Sequence, residues 1–294
     1  MKAALESGSN FWNGGELYGT PAANSLHLLH DYFTRYPEDA DKVVLSIKGA
    51  FEPGTYRPTG DKAGVTRSIE ECLKILDGKK KIDIFECGRV DPNVPIEETI
   101  GHLAAFVQAG KIGGIGLSET GASTIRRAAA IHPIAAVEVE FSLFSTDILT
   151  NDVASTCAEL KIPIISYSPL GRGFLTGQIK SFDEVTDLQK MGPRFHEENF
   201  YKNMELVERI KEVSESKGCT SAQLAIGWVR AHSGVKGHPT IIPIPGATTV
   251  SRVRENMKDV QVTAEELDEI DAILTKMPVQ GPRVPKFLEH LAFA

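Results

Sequence analysis

The stretch KVVLSIK at residues 42–48 predicts a buried β-strand, because its apolar and β-branched residues form a short run that ends at a polar residue. A loop rich in Gly and Pro follows, and Thr66–Leu76 then has the apolar spacing of an amphipathic helix. The run Ile82–Val90 returns to strand character. A strand, a helix and another strand in this order are typical of a βαβ unit with parallel strands.

The same alternation extends over the rest of the chain. Further strands are predicted at Asn10–Asn13, Ile112–Leu117, Ala135–Leu143, Ile162–Ser168 and Thr240–Ile244, and helices at Lys2–Glu6, Ile96–Ala109, Ser123–Ile131, Asp152–Leu160, Asn203–Lys217 and Ser221–Ala231. The stretch from about 170 to 200 has no regular period. We therefore predict an α/β protein with a parallel sheet. Residues 1–294 are expected to form a single domain, since no linker or change in composition divides them.

Parallel strands in this number form either a doubly wound sheet or a barrel. The Gly-x-Gly-x-x-Gly fingerprint of a doubly wound dinucleotide-binding domain is absent near the N-terminus. Polar residues occur instead where the predicted strands end, at Asn13, Lys48, Arg89, Ser118, Glu138, Glu140 and Tyr167. Barrel enzymes place their chemistry at this end of the strands, so the pattern favours a (β/α)8 TIM barrel.

Composition and charge exclude several classes of protein. The net charge of −7 disfavours a general role on nucleic acid or an anionic membrane surface. The N-terminal residues lack the apolar run of a signal peptide, and the four cysteines form no CxxC pair. We expect a reduced, cytoplasmic protein with no bound metal and a small-molecule substrate as its partner. The sequence does not predict an oligomeric state.

Four blocks of sequence resemble the aldo-keto reductase family, in the order and spacing of that family. The blocks are WNGGELYG at 12–19, SIK at 46–48, YSPLGRG at 167–173 with LTG at 175–177, and PIPGATT at 243–249 followed by Arg252, Glu255 and Asn256. Within the family, the motifs WNGGE, IFECGRVDP and GLSE resemble the yeast-type pyridoxal reductases. The resemblance spans nearly the whole chain. It implies NADPH-dependent reduction of an aldehyde, with a pyridoxal-like ring aldehyde favoured.

The resemblance implies that Tyr18 is the catalytic proton donor and that Lys48 and Asn13 complete the catalytic group. Carbonyl reduction leaves developing negative charge on oxygen, which requires a proton donor. A phenol with a pKa of about 10 is a poor acid at neutral pH. A neighbouring ammonium group stabilises the tyrosinate and lowers that pKa, which is the role expected of Lys48. A Tyr-Gly pair by itself would be read as a surface turn.

Two positions depart from the family pattern. Asn13 stands where the family usually has an aspartate that pairs with the lysine, so Lys48 is expected to lack a counter-charge. Gly88 stands where the family usually has a histidine. The change removes a hydrogen-bond donor for the substrate oxygen and is expected to open space in a substrate pocket formed with Trp12 and Arg89. A wider pocket would suit a substituted ring aldehyde.

The nicotinamide end of the cofactor site is implied by the third block. Tyr167 is expected to offer a ring face to the nicotinamide. Ser118 and Glu138 occupy positions at which the family binds the carboxamide of the nicotinamide. Two nearby residues differ from the family, since Glu138 replaces a glutamine and Glu119 replaces a common asparagine. A carboxylate accepts hydrogen bonds but does not donate them, so Ser118 is the preferred ligand. The remaining residues of the block expected to bind the cofactor are Ser168, Leu170 and Gly171.

The adenosine-phosphate end is implied by the fourth block. Gly246, Thr248 and the start of a helix near Ser251 are expected to form a phosphate cradle. Arg252 is expected to bind the 2′-phosphate and so to select NADPH over NADH, with Glu255 and Asn256 beside it.

The family begins with a strand that precedes the helix predicted here at Lys2–Glu6, and this sequence has no counterpart of that strand. We therefore predict a barrel that lacks the first strand, in which the strand at Asn10–Asn13 has one unpaired side. This feature, together with Asn13 and Gly88, leaves a second function open: a regulatory or interaction protein that binds NADPH with little or no turnover. The presence of both Tyr18 and Lys48 favours the enzyme.

Overall fold

The computed structural model describes residues 1–235 and 237–294. Its strands are β1 (Phe11–Gly15), β2 (Gly19–Thr20), β3 (Ala23–Asn24), β4 (Val44–Gly49), β5 (Ile84–Cys87), β6 (Ile115–Ser118), β7 (Ile134–Glu140), β8 (Ile164–Tyr167) and β9 (Ile241–Pro243). Its helices are α1 (Lys2–Glu6), α2 (Ser25–Arg35), α3 (Lys62–Leu76), α4 (Ile96–Gln108), α5 (Ala122–Ile131), α6 (Val153–Glu159), α7 (Asp187–Lys190), α8 (Glu197–Lys217), α9 (Ser221–Ala231), α10 (Val250–Asn256) and α11 (Ala264–Lys276).

Seven of the strands form one parallel sheet in the order β1, β4, β5, β6, β7, β8, β9. Each step along the sheet is a βαβ unit, with helices α2 to α6 between successive strands and α8 and α9 before β9. The sheet curls into a partial (β/α) barrel, which confirms the predicted fold class. Strands β2 and β3 form a short antiparallel hairpin after β1.

The two edge strands of the sheet are β1 and β9. Within the described residues, β1 pairs only with β4 and β9 pairs only with β8, so the barrel is open between them. This confirms the prediction that the strand at Asn10–Asn13 has one unpaired side. No helix in the described part of the chain is both long and apolar enough to cross a membrane.

The concave face of the sheet carries an apolar layer beneath a polar one. Ile84, Ala136 and Ile165 pack together, and residues of the two edge strands complete this layer. Side chains two residues apart along a strand point to the same face. Glu86, Glu138 and Tyr167 follow the three apolar residues at that spacing, so they lie on the same face nearer the carboxyl ends of the strands.

The opposite face of the sheet packs against the helices. Trp12 belongs to this face: its ring contacts Tyr32 and Phe33 of α2 at centroid distances of 5.1 and 5.8 Å, and its indole N–H donates to the Ser9 carbonyl at 2.8 Å. The prediction that Trp12 lines the substrate pocket was therefore wrong. Since neighbouring strand residues point to opposite faces, the inward position of Asn13 places Trp12 outward.

Element boundaries differ from the sequence prediction where polar side chains set them. Helix α3 begins at Lys62 rather than at residue 66, because the Asp61 carboxylate caps it by accepting from the Gly64 N–H at 2.6 Å. Strand β7 ends at Glu140 rather than at residue 143, because Ser142 and Ser145 exchange backbone hydrogen bonds in a turn.

Candidate active site

A cavity of about 1290 Å³ lies at the carboxyl ends of the strands. Of the residues expected in the site, those that line it are Asn13, Tyr18, Lys48, Arg89, Glu138, Tyr167, Ser168, Leu170, Gly246, Arg252, Glu255 and Asn256. Those that do not line it in the described structure are Trp12, Gly88, Ser118, Gly171 and Thr248. The candidate catalytic residues and the expected phosphate-binding residues therefore share one continuous cavity.

Lys48 is buried near the end of β4, where its ammonium group faces two carboxylates. It donates a hydrogen bond to Glu138 and lies 3.6 Å from the Glu86 carboxylate. It also lies 5.8 Å from the centre of the Tyr167 ring. Burial lowers the pKa of Lys48, but the two carboxylates outweigh this and hold it above its ordinary value. Lys48 is therefore a firmly charged ammonium at neutral pH.

Glu138 supplies the counter-charge that Asn13 lacks. The Asn13 amide donates to Glu138 Oε2 at 2.6 Å, and Lys48 donates to Glu138 Oε1. The family pattern has an aspartate at position 13 and a glutamine at position 138. Here the amide stands at position 13 and the carboxylate at position 138, so the two groups have exchanged positions. The expectation that Lys48 has no counter-charge was therefore wrong, and the carboxylate comes from β7 instead of β1.

Tyr18 lies in the turn between β1 and the β2–β3 hairpin. Its backbone N–H donates to Gly15 at 3.2 Å, and a Cβ at Gly15 would come within 3.3 Å of the Tyr18 ring. Although 44% of the residue is exposed, the surrounding protein partly removes the phenol from water, and this desolvation raises the pKa of Tyr18. Lys48 lowers that pKa, as predicted, but the effect of burial is larger.

Glu86 is an inward-facing carboxylate that the sequence analysis missed. It is 1% exposed and accepts a hydrogen bond from Ser46 through one oxygen. Its Oε2 atom has no hydrogen-bond partner among the described residues. Burial and the nearby Glu138 raise the pKa of Glu86 to about 7. The signal was present in the sequence, because an acidic residue follows two positions after Ile84 in an otherwise apolar strand.

Gly116 makes room for Glu86 inside the sheet. The two residues are paired across β5 and β6, and a Cβ at Gly116 would lie 2.5 Å from Glu86 Cγ. Such a contact is too short for a side chain, so the glycine allows the carboxylate to turn toward Lys48.

Gly88 does not open space in the site. A Cβ at this position would lie 2.0 Å from Phe51 Cε2 and 2.3 Å from Phe51 Cζ. The Phe51 ring therefore occupies the space beside Gly88, and Phe51 rather than Gly88 lines the cavity. The prediction of a wider pocket at Gly88 was wrong, because an aromatic residue from the loop after β4 fills the space.

Arg89 faces the cavity and covers Ser118. Its guanidinium group donates to the Gly88 carbonyl and to the Ser118 hydroxyl, the latter at 3.4 Å. Ser118 is 1% exposed behind it. In this arrangement Arg89, rather than Ser118, is presented to a ligand in the cavity.

Tyr167 is held by Glu119 and Arg283, whose contact with each other is not predictable from the sequence. Its hydroxyl donates to Glu119 at 2.9 Å, and Arg283 binds the same carboxylate through two hydrogen bonds of 2.6 and 3.0 Å. Burial raises the pKa of Glu119, but the hydrogen bonds from Arg283 outweigh this and lower it. Glu119 is therefore fully engaged within the protein, and the ring of Tyr167 is fixed beside Lys48.

Arg283 belongs to the segment 277–294, which follows α11 and crosses the carboxyl ends of the strands. The segment is also tied to the loop after β6, since Gly121 N–H donates to the Ala294 carbonyl at 3.0 Å and Ala294 N–H to the Glu119 carbonyl at 3.2 Å. Leu288 and Leu291 of the same segment line the cavity.

The far end of the cavity is formed by the residues around α10. The Thr249 hydroxyl caps this helix by accepting from Arg252 N–H at 3.3 Å. The Arg252 guanidinium is exposed and donates to the Gln178 side chain at 2.8 Å, across the cavity. A Cβ at Gly246 would meet no atom within 4 Å, so the backbone there borders open space. Thr248 is exposed and Gly171 is buried, both outside the cavity lining in the described structure.

The fold and the site define an open (β/α) barrel, with one cavity that holds a tyrosine and a buried lysine at the carboxyl ends of the strands. The sequence model of the aldo/keto reductase family matches residues 1–275, and the chain belongs to this family. No group of three or more His, Cys, Asp or Glu side chains within residues 1–235 and 237–294 is placed to hold a metal ion.

Two curated yeast relatives are similar over most of their length. The probable pyridoxal reductase 2 of Schizosaccharomyces pombe is 43% identical, over 98% of this chain and 88% of that protein. The putative pyridoxal reductase of Saccharomyces cerevisiae is 39% identical, over 93% of this chain and 84% of that protein. Both matches agree with the predicted resemblance to pyridoxal reductases.

Among solved structures, the glycerol dehydrogenase of Gluconobacter oxydans superposes with a TM-score of 0.81 at 23% identity, over 97% of this chain and 86% of that chain. This likeness supports the fold.

Proposed function

We propose that the protein reduces a ring aldehyde of the pyridoxal type to the alcohol with NADPH, and that Tyr18 donates the proton to the carbonyl oxygen. The observation that carries the proposal is that Tyr18, Lys48 and Arg252 all line one cavity. The similarity to two pyridoxal reductases supports the substrate class.

The residues along the cavity fit a dinucleotide. Tyr167, fixed through its hydroxyl, presents a ring to the cavity on which a planar nicotinamide can stack. Arg252 uses one of its five N–H groups on Gln178 and has others for a phosphate. When bound, NADPH supplies the hydride for the carbonyl carbon.

The proton comes from the Tyr18 hydroxyl. Its raised pKa keeps the phenol protonated at neutral pH, so the donor is available before the reaction. As negative charge develops on the substrate oxygen, the proton moves from Tyr18 to that oxygen. The Lys48 ammonium then stabilises the tyrosinate, and Glu138 holds the ammonium in its charged form.

The cavity that Tyr18 lines also carries surfaces that suit a flat, polar ring. Phe51 and Tyr56 provide aromatic surface, and Leu288 and Leu291 provide apolar surface. Arg89 adds a cation to the cavity lining. A ring aldehyde with a phenolic oxygen, as in pyridoxal, would pack against the aromatic residues and accept a hydrogen bond from Arg89.

The test is NADPH oxidation with pyridoxal, benzaldehyde and a short aliphatic aldehyde, beside a titration of NADPH binding by fluorescence. We expect NADPH to bind and pyridoxal to give the highest kcat/KM of the three aldehydes. Tight binding without turnover of any aldehyde would instead support the regulatory, NADPH-binding function. Turnover that favours the aliphatic aldehyde would contradict the substrate class while leaving the reaction type in place.

A further inference from the structure

Two buried carboxyl groups, Glu86 and Glu138, face the single ammonium group of Lys48. Each carboxyl residue is 1% exposed. The charged groups that act on Glu86 are Lys48 on β4 and Glu138 on β7. The neutral donors Ser46 and Asn13 bind the two carboxyl groups, and the phenol of Tyr18 and the guanidinium of Arg89 lie within electrostatic range of each other at the cluster. If both carboxyl groups were ionised, this interior cluster would carry one excess negative charge.

The hydrogen bonds to the two carboxyl groups differ. Both oxygens of Glu138 accept, one from Lys48 and the other from Asn13. Glu86 accepts from Ser46 at one oxygen, while its Oε2 atom is 3.6 Å from Lys48 and has no hydrogen-bond partner among the described residues. A buried, incompletely bonded carboxylate beside a second carboxylate is costly, and a proton on it removes that cost.

We propose that Glu86 holds a proton in slightly acidic solution, releases it to solvent as the pH rises through neutrality, and so sets the charge around Lys48 as a positioning residue for the reduction. The protonation of Glu86 stands independently of the reaction. Its kinetic effect rests on the proposed reductase function.

The state of Glu86 changes the environment in which Tyr18 gives up its proton. With Glu86 protonated, Lys48 and Glu138 form a neutral pair. With Glu86 ionised, the cluster carries a negative charge, and this charge raises the pKa of Tyr18. Proton donation from Tyr18 then becomes less favourable, so the rate of reduction falls as pH rises through the ionisation of Glu86.

Infrared difference spectroscopy tests the protonation directly. The full chain is titrated through about pH 7, and the carbonyl stretch of a protonated carboxylic acid is followed. We expect wild-type protein to lose a band that Glu86→Gln lacks. The matched control is Glu97→Gln, which removes an exposed carboxylate paired with Arg127 and should keep the band. A wild-type protein without the band, or a band that persists in Glu86→Gln, would overturn the proposal.

A second variant keeps the test valid if Glu86→Gln does not fold. Ser46→Ala removes the hydrogen bond that favours the ionised form of Glu86, so the band should persist to higher pH than in wild type. An unchanged titration in Ser46→Ala would count against Glu86 as the origin of the band.

The pH profile of kcat/KM tests the kinetic part. We expect wild-type reduction to fall by up to about tenfold across the ionisation of Glu86, the change that one pKa unit at Tyr18 produces, and Glu86→Gln to show no such step. A step that persists in Glu86→Gln contradicts the positioning role. If the infrared band behaves as expected but no aldehyde is reduced, the proposed function fails and the protonation of Glu86 stands.

Discussion

Asn13 and Glu138, on strands β1 and β7 and 125 residues apart in the chain, are joined by a hydrogen bond of 2.6 Å. The carboxylate in this pair is the one that neutralises Lys48. The arrangement retains one amide and one carboxylate beside the lysine but reverses which strand supplies each of them. The two positions should therefore depend on each other.

Exchange of the two groups tests this dependence. We expect Asn13→Asp and Glu138→Gln each to lower kcat/KM, since the first adds a carboxylate beside Glu138 and the second removes the counter-ion. The double variant Asn13→Asp/Glu138→Gln should recover part of the loss, with a coupling energy of about 1 kcal/mol or more in a double-mutant cycle. Losses that simply add would show that the two residues act independently.

Tyr18→Phe should abolish carbonyl reduction with little change in NADPH affinity, because the hydroxyl acts only in the transition state. Loss of a general acid lowers the rate by roughly 10²–10⁴-fold. Single-turnover kinetics and a fluorescence titration of NADPH measure the two effects separately. Retained turnover in Tyr18→Phe would assign the proton to another group.

Arg252→Ala should weaken NADPH binding far more than NADH binding, since only NADPH carries the 2′-phosphate. A lost hydrogen bond to a charged group costs about 1.5–3 kcal/mol, which corresponds to a Kd increase of roughly 10- to 100-fold. Arg254→Ala is the matched control, because Arg254 is exposed on the same helix but does not line the described cavity. If Arg252→Ala weakened the binding of NADPH and NADH equally, the arginine would contact a part of the cofactor that both molecules have.

Gly88→Ala should lower the thermal unfolding midpoint, because the new Cβ would overlap the Phe51 ring. Overpacking of this kind costs about 1–3 kcal/mol. In a Phe51→Ala background the same substitution should have a much smaller effect, and Gly101→Ala, where a Cβ meets no atom within 4 Å, serves as the control. The same cost in both backgrounds would show that Phe51 is not the obstacle.

The overlap with Phe51 also determines what a histidine at position 88 can do. Gly88→His alone should not supply a donor to the substrate, since the Phe51 ring occupies the space. Gly88→His in the Phe51→Ala background should raise turnover of small aldehydes relative to Phe51→Ala alone. Steady-state kinetics with a short aliphatic aldehyde measures this difference, and a gain from Gly88→His alone would contradict it.

The strands and helices were predictable because their signals are local. The β-branched run at 42–48 and the helix that ends at Leu76 depend on neighbouring residues alone, and both are present as β4 and α3. The faces on which Trp12 and Glu86 lie were also predictable. Side chains alternate between the two faces of a strand, so Trp12 lies opposite Asn13 and Glu86 lies on the same face as Ile84.

Other features depend on residues that are distant in sequence and have no regular period. The ring of Phe51 comes from an irregular loop, and nothing near Gly88 indicates that it fills the adjacent space. Arg283 reaches Glu119 across 164 residues. Contacts of this kind follow from the tertiary fold and have no signature in local patterns.

The contact between Arg283 and Glu119 imposes an order on the assembly of the protein during translation. All seven parallel strands have been synthesised once residue 243 has left the ribosome, so the barrel-like sheet can form at that stage. Until residue 283 emerges, Glu119 lacks its hydrogen bonds from Arg283, and the carboxylate that holds the Tyr167 hydroxyl is not yet fixed. A nascent chain between these two lengths would contain every strand of the parallel sheet but not the arginine that anchors Glu119, so the cavity would be completed only after residue 283 emerges.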